Sequence, residues 1–353
     1  MTIALDAPET YGAVDASDAL GVVEASADQW AEAVARARAI DLPSFDGLTS
    51  VVFCGMGGSG IAGDVLAAVG AERGRVPVTV SKGYALPSFA GPDTLVIAAS
   101  YSGNTEETLA CADQALARGA HVVAITGGGR LAEVADEHGL LRIAPQAGIQ
   151  PRAALASLTA PTLVLCERLG LLGDLGEDLA ETDEVLRART KALGRDVPSA
   201  QNAAKQLARS LDGLLPVVWG QDGLLAAAAI RWRCQLNENA KIPAFSSVLP
   251  ELDHNELVGY DPGIESLGQI ALVVLRVPGE HRRLAIRIEA TLDEVSSEVR
   301  SVHEAWGTGE TSLAKFMSVA VTGDFTSIYL ALLRGVDPTP VQVIERLKRK
   351  LAG

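Results

Sequence analysis

Aromatic residues are scarce in this chain, at 4 % of 353 residues, and basic residues are outnumbered by acids, 30 against 44. The net charge of −14 excludes the Lys- and Arg-rich surface that a nucleic acid partner rewards. It leaves a small anionic ligand open, because local loops decide that. Four cysteines, Cys54, Cys111, Cys166 and Cys234, are scattered with no C-x-x-C spacing. They exclude a disulfide framework or a zinc knuckle and read as reduced, mostly buried thiols. No cluster with metal-ligand spacing occurs, and neither a metal nor an organic cofactor is expected. No stretch approaches the roughly 18 uninterrupted apolar residues of a membrane span. The start, Met1-Thr2-Ile3-Ala4-Leu5-Asp6, lacks the basic and apolar regions of a signal peptide. A cytoplasmic protein without a membrane partner is expected.

What the chain has in quantity is glycine, 35 residues, with 48 % hydrophobic residues overall. The most informative segment runs from 98 to 109, Ala-Ala-Ser-Tyr-Ser-Gly-Asn-Thr-Glu-Glu-Thr-Leu. It follows the apolar run 94–99, which reads as a buried parallel strand. Ser100, Ser102 and Thr105 then stand where a strand becomes a helix, and Glu106 and Glu107 fill the first helical turn, where acids suit the macrodipole. A helix N-terminus offers unpaired N–H groups and partial positive charge, so it holds an anion. Hydroxyls without a lysine suit the phosphate of a small molecule better than a nucleoside triphosphate in a P-loop. The plainer alternative is a Ser/Gly-rich turn with an N-cap.

A second loop of this kind lies upstream. The short apolar strand 51–54 runs into Gly55-Met56-Gly57-Gly58-Ser59-Gly60, and 61–66 reads as a helix. Gly55, Gly57 and Gly60 satisfy the G-x-G-x-x-G spacing of dinucleotide sites. That fingerprint also wants an acid after the next strand to bind ribose, and strand 76–80 ends instead in Ser81 and Lys82. A nicotinamide cofactor is therefore disfavoured. The better reading is a glycine-rich turn that lets backbone approach a sugar phosphate, with Ser59 adding a hydroxyl.

Strands near 51–54, 76–80, 94–99, 121–126 and 140–143 alternate with helical stretches, which predicts a doubly wound parallel sheet. The acids Asp174, Glu177, Asp178, Glu181, Asp183 and Glu184 mark a solvated helical connector. The second half then repeats the first. The segment 215–220 matches 50–55 in character, and 269–275 matches the strand at 94–99. In this copy Gln221-Asp222-Gly223-Leu224 replaces the hydroxyl-bearing loop, and Arg276-Val277-Pro278 replaces the serine-rich one. The expectation is an α/β tandem repeat: a phosphate-binding domain over 1–160, a helical connector over 161–198, and a diverged domain over 199–353.

The diverged copy carries the titratable candidates. A helix over 224–239 ends in Gln235-Leu236-Asn237-Glu238-Asn239-Ala240-Lys241, an unusual polar cluster on an otherwise apolar helix. Sixteen residues after Glu238 comes His254, within Pro250-Glu251-Leu252-Asp253-His254-Asn255-Glu256. Singly, each reads more readily as a surface carboxylate and a solvated loop histidine than as a catalyst.

Together, Gly-Met-Gly-Gly-Ser-Gly at 55–60 and Ser-Tyr-Ser-Gly-Asn-Thr at 100–105 resemble a sugar isomerase (SIS) domain, which binds phosphosugars with the loops after its parallel strands. Gln-x-Asn-Glu-Asn-x-Lys followed by Glu-Leu-x-His-Asn-Glu resembles, more narrowly, the bifunctional phosphoglucose/phosphomannose isomerases, which have two SIS domains. The resemblance covers nearly the whole chain, including Pro151-Arg152-Ala153-Ala154 and the closing Arg334-Gly335-Val336-Asp337-Pro338 with Leu347-Lys348. It implies two SIS-type doubly wound subdomains with a C-terminal helix. It implies isomerisation of glucose 6-phosphate, and of mannose 6-phosphate, to fructose 6-phosphate. Carried over residue by residue, it implies that Gly58, Ser59, Ser100, Ser102 and Thr105 contact substrate, chiefly its phosphate, and that Arg152 lies over the sugar chain. Glu238 is then the base, His254 opens the ring, and a C-terminal lysine assists, Lys348 in preference to Lys350. It also implies a homodimer with the active site at the subunit interface, where such isomerases often borrow the ring-opening histidine from the partner; whether His254 acts in its own chain or from the partner stays open.

The chemistry calls for the same residue types. Aldose–ketose isomerisation moves a proton between C2 and C1 through a cis-enediolate. One carboxylate with its pKa near working pH can carry that proton, and an arginine stabilises the developing charge. Ring opening needs a separate acid–base group in the range where imidazole titrates. The alternatives are a non-catalytic phosphosugar sensor, which lacks a reason to keep Glu238 and His254, and an aminosugar synthase or deaminase. A glutamine-dependent synthase needs an N-terminal Cys nucleophile, and Thr2 follows Met1 here.

Overall fold

The structure, a computed structural model, describes residues 4–45 and 47–351. In chain order its elements begin with helices α1 (Ala19–Glu24) and α2 (Ser26–Arg38). Then come β1 (Ser50–Gly55), α3 (Gly57–Arg73), β2 (Val78–Ser81), β3 (Thr94–Ala99), α4 (Glu106–Ala117), β4 (His121–Ile125), α5 (Gly129–Glu137) and β5 (Leu141–Ile143). Helices α6 (Leu155–Arg168), α7 (Gly176–Leu193) and α8 (Ala203–Leu211) precede β6 (Leu215–Gln221), α9 (Leu224–Glu238) and β7 (Phe245–Leu249). The chain closes with β8 (Ile270–Arg276), α10 (Arg282–Val295), β9 (Ser301–Trp306), α11 (Ser312–Leu333) and α12 (Gln342–Leu351).

Two parallel sheets result, ordered β2-β1-β3-β4-β5 and β7-β6-β8-β9. If the strands of each copy are counted from its own first strand, both read 2-1-3-4, so the tandem repeat expected from sequence is present as topology. The strands predicted over 94–99 and 51–54 fall on β3 and β1. Both are buried at every position, as continuous apolar runs in a two-sided parallel sheet must be. Each fully buried Val, Ile or Leu there contributes about 1.5–3 kcal/mol relative to exposure. β2 starts two residues later than predicted, at Val78. Pro77 has no N–H to give the ladder, though its carbonyl accepts from Val51 at 3.0 Å.

By contacts the chain forms two compact units, and these cross the boundaries drawn from sequence. One contains residues 25–187 with 309–317, and the other contains 1–24, 188–308 and 318–353. In the first, Val52, Cys54 and Val96 pack with Leu86, Cys111 and Ala115, placing β1 and β3 against α4. In the second, Trp219, Leu272 and Val274 pack with Leu252, Tyr260, Ile288 and Leu292, placing β6 and β8 beneath α10 and the turn after β7.

The segment read as a solvated connector is helical, as α7, but two of its acids are structural. Asp178 is buried and pairs with Arg73 at 2.6 Å. Glu181 accepts the backbone N–H groups of Glu310 and Thr311 at 2.6 and 2.8 Å. Helix α11 is long and apolar enough to cross a membrane by composition alone. However, 94 % of its most apolar window is buried within the protein, as in a core helix.

Candidate active site

In the first unit the turns after β1 and β3 deliver their residues to one place. β1 and β3 are neighbours, yet the chain leaves β1 toward β2 and leaves β3 toward β4. In a doubly wound sheet the crevice beyond the C-terminal ends of two such strands is where ligands bind. The glycine-rich loop follows β1 and the serine-rich loop follows β3, so both open into that crevice.

The glycine loop proves tighter than its sequence suggests, because α3 begins at Gly57, inside it. Gly57 has φ +51°, which favours glycine. A Cβ on Gly58 would lie 2.7 Å from the carbonyl oxygen of Pro151 and 3.1 Å from Cα of Arg152, so this position is closed to larger residues. That close approach brings Gly58 against the turn that carries Arg152, whose side chain is buried with only 6 % of its surface exposed. Ser59 is buried and its Oγ accepts the N–H of Tyr101 at 3.3 Å, tying the two loops together. Ser100 Oγ and Thr105 Oγ1 are 2.8 Å apart, and Ser100 Oγ also accepts the Gly103 N–H at 3.0 Å. Ser102 is exposed, and its Oγ accepts from Asn104 N at 3.3 Å. Gly58, Ser59, Ser100, Ser102, Thr105 and Arg152 are thus assembled around one crevice.

Its electrostatics favour an anion. No side chain caps the first turn of α3 or of α4, so two helix N-termini present backbone N–H groups side by side. Arg152 is buried on the turn that packs against Gly58. Tyr101, given no role in the sequence reading, frames one wall: its hydroxyl donates to the Gln146 carbonyl at 2.7 Å and accepts the Ile149 N–H at 3.3 Å.

The second copy keeps the topology and has filled the corresponding position itself. At the end of β8, buried Arg276 donates to both carboxylate oxygens of Glu280 at 2.8 and 3.1 Å. Glu280 also accepts the Val277 N–H at 3.0 Å. A carboxylate of the chain thus occupies the turn that hydroxyls line in the first copy.

Glu238 is the last residue of α9 and is half-buried. The polar residues around it are explained by α11. Arg231 donates to Asp324 Oδ2 at 2.7 Å, Gln235 to Asp324 Oδ1 at 2.8 Å, and Asn239 to Ser327 Oγ at 2.9 Å. Asn237 donates to the Ile242 carbonyl at 2.8 Å, and Lys241, at φ +56°, donates to the carbonyls of Glu238 and Pro338. This network fixes the helix end and so fixes where Glu238 stands.

His254 ends a 3-10 turn that follows β7, and it is exposed. It is not brought to Glu238. Helix α9 leaves the C-terminal end of β6 and returns to the start of β7, with β6 and β7 parallel and Gln221 level with Leu249. Its 15 residues run about 21 Å back along the sheet. Glu238 therefore lies at the edge where β7 begins, and His254 at the edge where β7 ends. Lys348 and Lys350 are both exposed on α12.

Residues 48–170 match the family described as SIS domain, and residues 200–351 match that described as bacterial phospho-glucose isomerase C-terminal SIS domain. The chain is 41 % identical over 305 residues to a bifunctional phosphoglucose/phosphomannose isomerase of Caldicellulosiruptor bescii, covering 86 % of this chain and 90 % of that one. It is 35 % identical over 312 residues to the enzyme of the same name from Aquifex aeolicus, covering 88 % and 92 %. The fold is shared with a glucose-6-phosphate isomerase like protein from Thermus thermophilus at TM-score 0.63 and 24 % identity, covering 98 % of each chain.

Proposed function

Since the chain belongs to the bifunctional phosphoglucose/phosphomannose isomerase family, we propose that it interconverts glucose 6-phosphate, and mannose 6-phosphate, with fructose 6-phosphate. The observation that carries this reading is the paired, uncapped N-termini of α3 and α4 at one switch point, lined by Ser59, Ser100, Ser102 and Thr105. That arrangement suits a phosphate monoester, whose charge the helix ends neutralise. Holding the phosphate supplies binding energy remote from C1 and C2 and fixes where they lie.

In this mechanism His254 moves the proton that leaves the anomeric hydroxyl onto the ring oxygen as the C1–O5 bond breaks and the C1 carbonyl forms. Lys348 assists from α12. The carboxylate of Glu238 takes the proton from C2, and the electron pair left behind makes the cis-enediolate, whose charge Arg152 stabilises. The proton of the C2 hydroxyl passes to O1, and as the C2 carbonyl forms the C1–C2 electron pair of the enediolate takes the proton back from Glu238 at C1. Glucose and mannose 6-phosphate differ only at C2, and both give the same enediolate, so one base serves both. The placement of Glu238 and His254 at opposite edges of one sheet favours a homodimer in which the histidine serves the partner's substrate.

The test is an assay of fructose 6-phosphate formation from each aldose in D2O. Wild type should convert both and place solvent deuterium on the reacting carbons. Glu238→Gln should lose about 10²–10⁴-fold in kcat and the exchange with it. A wild type inactive on both sugars would remove the reading. Exchange in the variant at the wild-type rate would move the base elsewhere, to Glu251 or Glu256 first.

A further inference from the structure

His254 is exposed, and its side chain makes no hydrogen bond among the described residues. A side chain with no partner of its own takes its position from the backbone beneath it. That backbone is a four-residue 3-10 turn, Glu251–His254, too short to be rigid by itself. It is anchored at Leu252, which sits in the second unit's core at 2 % exposure. The anchor next to the histidine is polar. Asp253 has a side chain only 5 % exposed, turned away from solvent toward α10. Its Oδ2 accepts from Arg287 Nη1 at 3.1 Å, and Thr291 Oγ1 lies 3.0 Å from its Oδ1. The Thr291 hydroxyl also lies 2.9 Å from the Arg287 carbonyl, so its single proton serves one acceptor at a time and Arg287 is the firmer arm. On the far side Asn255 donates to Glu251 Oε1 at 2.9 Å and accepts the Glu256 N–H at 2.6 Å, closing the loop on itself rather than on the fold.

We propose that Asp253 is a positioning residue for ring opening: through Arg287 and Thr291 it pins the His254 turn to α10. Its two partners lie one helical turn apart, at 287 and 291, on one face of α10, so the carboxylate is held from two directions. The inference rests on the reading of His254 as the ring-opening group, and its test keeps the two apart.

Ring opening can be isolated from isomerisation. In a Glu238→Gln background the C2 proton stays in place, but the ring can still open and close, so the enzyme catalyses exchange between the α and β anomers of glucose 6-phosphate. NMR exchange spectroscopy reads the enzyme-dependent part of that rate. Adding His254→Ala should abolish it. Adding Asp253→Ala should lower it by about 10- to 100-fold, the size of effect a displaced catalytic group produces. Affinity for arabinonate 5-phosphate, an acyclic phosphate that needs no ring opening, should change less than about twofold on the same scale. Thr291→Val should lower anomerisation in the same sense and Thr291→Ser should restore it, which decides the matter if Asp253→Ala does not fold. Enzyme-dependent anomerisation unchanged from the Glu238→Gln parent in both Asp253→Ala and Thr291→Val overturns the proposal. So does a loss of arabinonate 5-phosphate affinity in step with the loss of rate, since that marks general damage. If His254→Ala leaves anomerisation intact, the reading of His254 fails, and the role given to Asp253 falls with it.

Discussion

Ser100 and Thr105 satisfy each other across 2.8 Å, whereas Ser102, two residues along the same loop, faces solvent. The difference separates what each hydroxyl does in the proposed site. Ser102 can turn to a phosphate oxygen without losing any buried partner. Thr105 also holds Ser100, so its removal leaves a buried hydroxyl without its mate. A hydrogen bond to a charged group is worth about 1.5–3 kcal/mol, or roughly 10- to 100-fold in affinity. Ser102→Ala should therefore raise KM for glucose 6-phosphate by about that factor with little change in kcat or thermal stability. Thr105→Ala should raise KM similarly and lower Tm as well. Steady-state kinetics with a melting curve for each variant checks both halves, and an unchanged KM in the two would put the phosphate elsewhere.

At the scale of elements, legibility follows burial. β1 and β3 are readable because a strand buried on both faces must be apolar throughout, and because the turns after them break that run with glycines and hydroxyls. β7, Phe245-Ser-Ser-Val-Leu, and β9, Ser301-Val-His-Glu-Ala-Trp, are not predicted as strands. Both are edge strands of the second sheet, and their polar sequences carry no apolar run. The polar cluster around Glu238 is visible as an anomaly but not as a network, since its partners Asp324 and Ser327 lie nearly 90 residues away. The turn bearing His254 is legible, but Asp253 cannot be told from its neighbours, because α10 supplies its meaning. β9 also carries a measurable charge effect. His303 is half-buried there, and burial holds its imidazole below the ordinary value of 6.5. The unfolded chain takes up that proton as pH falls through about 6.5, while the folded chain resists it. Stability from this group is thus present above that pH and lost on acidification toward the folded value. His303→Gln, which keeps a neutral polar group beside Ser301, should lose less Tm than wild type between pH 7 and pH 5. Equal losses would mean that His303 titrates freely in the fold.

For the whole molecule, the decisive geometry is that of α9. A helix of 15 residues returning along a parallel sheet carries Glu238 to the edge opposite His254. β7 stands between Glu238 and His254, which favours a site in which one chain's Glu238 acts with the His254 of a second copy. Two inactive homodimers then make a sharp test. Glu238→Gln lacks the base and His254→Ala lacks the ring-opening group. In a hybrid of the two, one site draws its carboxylate and its imidazole from intact residues on different chains, while the other site has neither. Co-expressing the variants with distinct tags and purifying the doubly tagged species should recover about half the wild-type activity per dimer, since one of two sites is whole. A chain in which both residues served the same substrate would give hybrids no more active than the parents. A monomer at assay concentration, seen by light scattering together with full activity, would exclude the shared site outright.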